Sequence, residues 1–344
     1  MSKVFLTGAT GFLGSYIARL LILKGHTVWA TKRADSRMDL VRDIQNQINW
    51  STCDLQDIFE LEDIIQNVDS VIHSAAVVSF QPKDAELMHQ VNVVGTRDII
   101  NLSLEHKISR FVHISSIAAL GRHKNDKAID EEVEWQDSPY NTLYGISKQM
   151  AEREVWRGQA EGLEVCILNP SLILGAGYWD TGSPALFEQM HKGNPFYPTG
   201  STGIVDVRDV AHLAILAMAS DISGQRYIIS SENISYRSIL DNIATALHQK
   251  KPKIKLTKAL IALLWRADAF LSLLSNRKRL ATKETLASSS RNAQYIADKS
   301  IKTFNYSYIT SNQTISQSCA SYLESAENKL NHNVLKFPPA FLGH

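Results

Sequence analysis

The sequence predicts an α/β protein whose main unit is a doubly wound parallel sheet, followed by a smaller and mainly helical C-terminal unit. Three observations carry the prediction. Short β-rich runs alternate with helical stretches through the first half of the chain. These runs are apolar almost throughout, as in strands covered on both faces. A glycine-rich turn joins the first run to the first helix. The strand candidates are KVFLTG (3–8), HTVWAT (26–31), INWSTC (48–53), VDSVIHSA (68–75), RFVHISS (110–116) and LEVCILNP (163–170). Between them, GFLGSYIARLLILKG reads as a helix ended by Gly25, and DAELMHQVNVVGTRDIINLSLEH as another. A repeated βα unit with right-handed crossovers amounts to a Rossmann-type fold.

After residue 170 the rhythm changes. SLILGAGYWDTGSP and KGNPFYPTGSTG, rich in Gly, Pro, Ser and aromatic residues, read as loops. VDVRDVAHLAILAMAS resumes as a helix with Asp209 as a plausible N-cap, and QRYIISS (225–231) adds a strand. From SYRSILDNIATAL onward the chain is mainly helical, ending in the irregular tail NHNVLKFPPAFLGH (331–344). The expected division is a sheet domain of residues 1–170, with 204–231 returning to it, and a second domain of 171–203 and 232–330.

Composition narrows the partners. With 44% hydrophobic and 21% charged residues, a chain of 344 residues supplies a sizeable core. Lys and Arg number 36 against 35 Asp and Glu, so no net field recruits nucleic acid or anionic lipid, and a small molecule is the expected partner. Cys53, Cys166 and Cys319 are odd in number, far apart and without metal-ligand spacing, so neither a disulfide nor a metal site is expected. MSKVFLTGAT runs directly into a strand without the features of a signal peptide, which makes the cytoplasm the expected address. Arg266 and Asp268 interrupt LIALLWRADAFLSLL (260–274), which is shorter than the roughly 20 residues of a spanning helix. It reads as a buried or pocket-covering helix, and the basic run HQKKPKIKL (248–256) as a solvated edge.

The glycine turn points to a nucleotide. Gly8, Gly11 and Gly14 in LTGATGFLGSYIARLL are spaced GxxGxxG, one residue away from the GxGxxG dinucleotide fingerprint. One glycine permits the tight turn, one lets backbone approach a pyrophosphate, and one lets the helix pack on the strand, with the helix N-terminus facing the phosphates. The end of the second strand selects the cofactor, because an acid there binds a ribose 2′-hydroxyl and a cation binds a 2′-phosphate. Lys32 and Arg33 stand at that end, with Asp35 two residues later, so NADP is expected over NAD. Asp54, ending the third strand, is placed to reach the adenine.

A nicotinamide enzyme that reduces a carbonyl needs a proton donor, something to lower the donor's pKa, and a group to hold the substrate oxygen. Tyr144 and Lys148 lie one helical turn apart in TLYGISKQM, hence on one face. A tyrosine titrates near 10, and a neighbouring ammonium favours its phenolate. Ser115 and Ser116 end the fifth strand, at the sheet edge where ligands sit, and either hydroxyl suits the substrate oxygen. His73 and His113 fall within strands and read as core histidines, whereas Asp206 and Asp209 read as a helix cap and a loop anchor.

Together TGATGFLG, CDL, HSAA, VNVVGT, HISSIAALG, YGISK, LNPSLILGAG and VDVRDVA, spread over residues 6–211, resemble the extended short-chain dehydrogenases/reductases. The resemblance implies Ser116 as the catalytic serine, five residues before Gly121, Tyr144 as acid/base, and Lys148 as the residue that binds the nicotinamide ribose and tunes the tyrosine. It implies Gly8, Thr10, Gly11, Phe12, Leu13 and Gly14 around the pyrophosphate, Asp54 and Leu55 at the adenine, and Ala75 and Ala76 at the middle of the cofactor. Pro170 and Leu172 would line the nicotinamide pocket, and Asn92 has a mainly structural role. It also suggests a homodimer through the helices around 84–106 and 139–161.

Within that family, SSIAALG lacks the Thr-Asp-Glu-type sequence of sugar-nucleotide dehydratases. Leu120 and Lys32 stand where epimerases commonly carry tyrosine and aspartate. HTVWATKR, NPSLILGAG and the late RNAQYIADKSIKTFNYSY look more like the dihydroflavonol 4-reductase and 3β-hydroxysteroid dehydrogenase branch. That branch implies reduction of a ketone or aldehyde, or oxidation of the alcohol, on an apolar or aromatic substrate. Tyr178, Trp179, Phe196, Tyr197 and the 260–274 helix are expected either to line the substrate pocket or to pack the small domain. A nucleotide-sugar epimerase with tightly bound NAD and a non-catalytic NADP-binding protein are the alternatives.

Overall fold

The computed structural model describes residues 1–121, 128–138, 141–257, 260 and 290–342. The helix expected at 260–274 lies outside them, apart from Leu260. Seven strands form the central sheet: β1 (Lys3–Thr7), β2 (Thr27–Lys32), β3 (Ile48–Thr52), β4 (Ser70–His73), β5 (Arg110–Ile114), β6 (Val165–Pro170) and, later in the chain, Gln225–Ile229. Numbering β7 (Leu172–Leu174), β8 (Phe196–Tyr197) and β9 (Ser201–Asp206) makes that last strand β10. The order is β10-β6-β5-β4-β1-β2-β3, with every pair parallel. This is the expected doubly wound sheet.

Strand alternation divides the core in two. Val4, Leu6, Val28, Ala30, Val112, Ile114 and Leu168 face one side, with α1 (Phe12–Leu23) and a helix at Val207–Ala219. Phe5, Val71, Phe111, Val165 and Ile167 face the other, with α2 (Ile58–Ile65), α4 (Gly95–Glu105) and α5 (Leu143–Ala160). Period-two side chains with apolar residues at nearly every position are what a sheet covered twice requires. The remaining helices are α3 (Ala85–Met88), α6 (Ala185–His191), α7 (the Val207–Ala219 helix), α8 (Tyr236–Ala246), α9 (Asp298–Phe304) and α10 (Ser311–Glu327).

Several expectations are corrected. Residues 84–106 do not form one regular helix, since a π-helical segment, His89–Val94, separates α3 from α4. The segments read as loops contain β7, β8 and β9; β9 pairs with β7 on one side and with β11 (Glu232–Ser235) on the other. The basic run is mostly exposed, as its reading as a solvated edge expects, and adds a two-residue strand, β12 (Ile254–Lys255), paired with β8. Asp206, not Asp209, caps α7, its carboxylate accepting from the Arg208 amide at 2.8 Å. Asp209 instead anchors a loop, accepting from the Tyr306 hydroxyl at 2.9 Å and the Ile309 amide at 3.0 Å. Burial, then the charge of Asp206, pushes its carboxyl up to about 7.

The tail is irregular but docked. Leu335 and Phe341 are buried in the α1/α7 core, and the Tyr16 hydroxyl donates to the Ala176 carbonyl while accepting from the Leu335 amide. The three cysteines are free and buried. Among the described residues no helix is long and apolar enough to cross a membrane.

Candidate active site

The turn after β1 is held from behind. Gly8 has φ +72°, and a Cβ there would lie 2.9 Å from the Ala75 backbone, so only glycine lets the turn sit against the exit of β4. The preceding Thr7 accepts from the Ser74 and Ala75 amides at 3.1 and 3.0 Å. Gly11 caps α1 without a side-chain acceptor, and no acid stands in its first turn. The helix start is therefore left with its amide donors and positive dipole end unmet, as an anionic ligand requires.

A cleft of about 350 Å³ opens over this turn. It is lined by Gly8, Thr10, Gly11, Phe12, Leu13 and Gly14, by Lys32 and Arg33 at the end of β2, by Asp54 and Leu55 after β3, and by Ala75 and Ala76 after β4. Thr31, Ser36, Cys53, Ser74, Val77 and Val91 also line it and escaped the sequence reading, for they are small or apolar neighbours of the motif residues with no pattern of their own. At the β2 end, Lys32 lies 5.8 Å from the centre of the Trp50 ring. Arg33 pairs with Asp35 at 3.1 Å on the open surface, so the one nearby acid is engaged by a cation. The uncapped helix and the cationic rim fit the phosphates of a nucleotide; Ser116, Tyr144 and Lys148 are not among the residues that line this cleft.

The second cluster lies where β5 ends. Ser116 caps a short 3-10 turn, Ile117–Leu120, its hydroxyl oxygen accepting from the Ala118 amide at 3.2 Å. Thr142 caps α5, accepting from the Gly145 amide at 3.0 Å, which starts the helix one residue before Tyr144. Gly145 is a residue the sequence reading missed. A Cβ on it would stand 2.8 Å from the Ala118 carbonyl oxygen, so its absence lets α5 close on the serine turn. The Ser116 hydroxyl comes close enough to the Tyr144 phenol to oppose the burial that pushes it up to about 12. The Phe80 ring meets the Tyr144 ring edge-on at 6.2 Å.

Lys148 is 1% exposed. Its ammonium donates to the Ile114 carbonyl at 2.8 Å and lies 3.4 Å from Nε2 of His113, rather than bonding to the phenol one turn away. Burial lowers its pKa to about 8, and the nearby Glu152 carboxylate opposes that shift. Ser115 reaches α5 further along, donating to Glu152 at 2.5 Å.

The two histidines are core residues. The Thr7 hydroxyl oxygen already accepts twice, so its proton goes to Nδ1 of His73 at 2.8 Å. Nε2 then carries the His73 proton and donates to Thr96 at 3.0 Å, and Thr96 donates to the Asn92 carbonyl at 2.6 Å. Asn92 clamps the Val77 backbone at both its amide and its carbonyl and donates to Ser147, which donates to the Tyr144 carbonyl. The structural role read for Asn92 has this geometry. The network runs from the glycine turn to the first turn of α5.

Pro170 ends β6 and is fully buried, and Leu172 lies in β7; neither lines the cleft. Tyr178 and Trp179 follow the packing alternative. Trp179 packs against Phe187 and Tyr322 at 6.0 and 5.2 Å, and the Arg37 guanidinium stacks 3.6 Å from the centre of the Tyr178 ring. Phe196 and Tyr197 are half-buried in β8.

Residues 4–230 match the model of the NAD dependent epimerase/dehydratase family. The chain is 34% identical over 261 residues to a Synechocystis sp. protein named "Putative dihydroflavonol 4-reductase", covering 72% of this chain and 74% of that one. It is 31% identical to sterol demethylase protein B of Methylococcus capsulatus, over 74% and 77% of the two chains. With cinnamoyl-CoA reductase 1 of Arabidopsis thaliana it shares 30% identity over 72% and 76%. Among solved structures, gox2253 superposes with a TM-score of 0.78 at 27% identity, covering 94% of this chain and 98% of the other. The chain therefore belongs to the NAD dependent epimerase/dehydratase family, the extended short-chain dehydrogenases/reductases, and is an NAD(P)-dependent oxidoreductase of that type.

Proposed function

We propose that the protein is an NADPH-dependent reductase of ketones or aldehydes on small apolar or aromatic molecules. The observation that carries this reading is the approach of the Ser116 hydroxyl to the Tyr144 phenol at the head of α5, with Lys148 one turn further on. NADPH, when bound, supplies the hydride. A phenol held at about 12 keeps its proton throughout the neutral range, so Tyr144 has one to give to the oxygen of the carbonyl as it is reduced. The Ser116 hydroxyl holds that oxygen against Tyr144. The buried ammonium of Lys148 favours the phenolate left behind, which offsets the cost of the transfer. The relatives named dihydroflavonol 4-reductase and cinnamoyl-CoA reductase support the choice of a carbonyl on an aromatic framework.

Lys32 and Arg33 are the residues assigned to the 2′-phosphate of NADP. Arg33 is shared with Asp35 on open surface, where an ion pair contributes little, on the order of 0–1 kcal/mol, so a phosphate readily takes its place. We assign substrate selection to residues 171–203 and 232–330, since the lining of the cofactor cleft ends at Val91. A homodimer through 84–106 and 139–161 is in keeping with the exposed Leu87 and Ile146 on those helices, and light scattering of the purified chain reads its mass directly.

The test is loss of NADPH absorbance with a panel of aromatic and aliphatic ketones and aldehydes. Tyr144→Phe is expected to lower kcat by roughly 100- to 10,000-fold. Lys32→Ala with Arg33→Ala is expected to raise KM for NADPH by about tenfold or more while leaving NADH nearly unchanged. Wild-type turnover in Tyr144→Phe, or an equal loss with both cofactors in the double variant, contradicts the respective assignment.

A further inference from the structure

One turn beyond Lys148, on the same face of α5, stands Glu152, 3% exposed and with no part in the proton transfer described above. Its Oε1 accepts from the Ser115 hydroxyl at 2.5 Å and from the Asn169 amide at 2.6 Å. That Asn169 amide also donates to the Ser116 carbonyl at 3.0 Å. Oε2 faces the Arg226 guanidinium at 3.7 Å. Burial pushes the Glu152 carboxyl up, and the Ser115 and Asn169 donors, Arg226 and Lys148 oppose that shift; two donors and a cation are surroundings that favour a carboxylate over its acid.

Lys148 has the opposite need. Its hydrogen-bond partners, the Ile114 carbonyl and His113, are uncharged, and a buried ammonium without a compensating charge gives up its proton. Of the groups that face it, His73 on β4 and His113 on β5 are kept neutral by burial, and Tyr144 on α5 is a protonated phenol. Arg226 on β10 adds a cation on the far side of the carboxylate. Glu152 is the anion among them.

We propose that Glu152 is a positioning residue of the reductase site, the counter-charge that keeps Lys148 an ammonium at neutral pH and, through Asn169, a brace for the strand end that carries Ser116. The proposal rests on the acid/base reading of Tyr144 and Lys148. No bond is made or broken at Glu152; its effect is the field one helical turn away and the two hydrogen bonds it accepts.

The experiment is the pH dependence of kcat/KM for NADPH-linked reduction, which reports groups of the free enzyme, in the wild type, Glu152→Gln and Glu152→Asp. Glutamine keeps the shape and drops the charge, so the alkaline limb is expected to move about one pH unit lower. Starting from a limb near 8, activity then falls about twofold at pH 7 and roughly tenfold above pH ~9, and recovers toward the wild type about one unit more acid. Aspartate keeps the charge, and its limb is expected to stay in place. A residue that only packs gives the reverse pattern, with harm from the shortened aspartate, little from glutamine, and no limb moved; that result overturns the proposal. Should Glu152→Gln fail to fold, Ser115→Ala removes one of the two donors that hold the carboxylate charged. Its limb is expected to move the same way by a smaller amount, and an unmoved limb again overturns the proposal. Tyr144→Phe is measured alongside: turnover retained there brings down the acid/base reading itself, whereas lost turnover there with an unmoved limb in Glu152→Gln brings down only the role of Glu152.

Discussion

Two adjacent serines reach different turns of one helix, and the reason is that the β5 ladder ends between them. Ser115 is 5% exposed and continues the β5 ladder, its amide donating to the Leu168 carbonyl at 2.7 Å, so its hydroxyl enters the protein toward Glu152. Ser116 leaves the ladder as the cap of the 3-10 turn and comes to Tyr144, about two turns earlier on the same helix. Spacing alone left both open, and only the family resemblance singled out Ser116. The physical discriminator, which turn of α5 each hydroxyl reaches, depends on a tertiary contact that no window of sequence contains. Ser116→Ala is expected to lower kcat roughly 100-fold with cofactor affinity retained. Ser115→Ala at its own optimum pH is expected to lose far less. Parallel kinetics and NADPH titrations read the difference, and equal losses would remove the distinction. Tyr144 and Lys148 were legible because a helix puts i and i+4 on one face. The direction of the Lys148 ammonium was not, because burial and the Ile114 carbonyl decide it.

At the level of elements, the strands of the central sheet were legible from their apolar runs, and the small sheet was not. β7 has three residues, β11 four, and β9 contains Gly203. Pieces so short offer no period, and their turn-rich surroundings read as loop. The π-helical segment was hidden for a related reason, since one wide turn shifts the register of an apolar pattern without erasing it. Gly145 belongs at this scale. The start of α5 and the serine turn approach so closely that a Cβ at position 145 would sit 2.8 Å from the Ala118 oxygen. Gly145→Ala is expected to cost about 1–3 kcal/mol through overpacking and to lower kcat by pushing Tyr144 off Ser116. Thermal unfolding and kinetics check both, and an active variant of unchanged Tm would show that the backbone gives way without consequence.

Across the whole molecule, the middle of the sheet contains groups able to carry charge and no room for it. His73 and His113 stack at 5.4 Å between ring centres. Burial, and then the charge of Lys148, holds His73 down to about 3 and His113 well below its ordinary value. In the unfolded chain both titrate near 6.5. Below that pH the unfolded chain takes up protons that the folded chain refuses, so stability present above pH ~6.5 is lost as the pH falls toward ~3. For His73 the rate is about 1.4 kcal/mol per pH unit. His73→Gln isolates this contribution, because an amide can accept from Thr7 and donate to Thr96 yet does not titrate. The variant is expected to be the less stable protein at pH 7, and its deficit against the wild type is expected to shrink by about 2 kcal/mol between pH 6.5 and 5. Urea denaturation of the two proteins at those pH values measures the gap. A gap that stays constant would mean that the imidazole takes up its proton in the fold as readily as in the unfolded chain, and that the hydrogen-bonded line from the glycine turn through His73 to Asn92 and Tyr144 does not depend on the neutral tautomer its partners dictate.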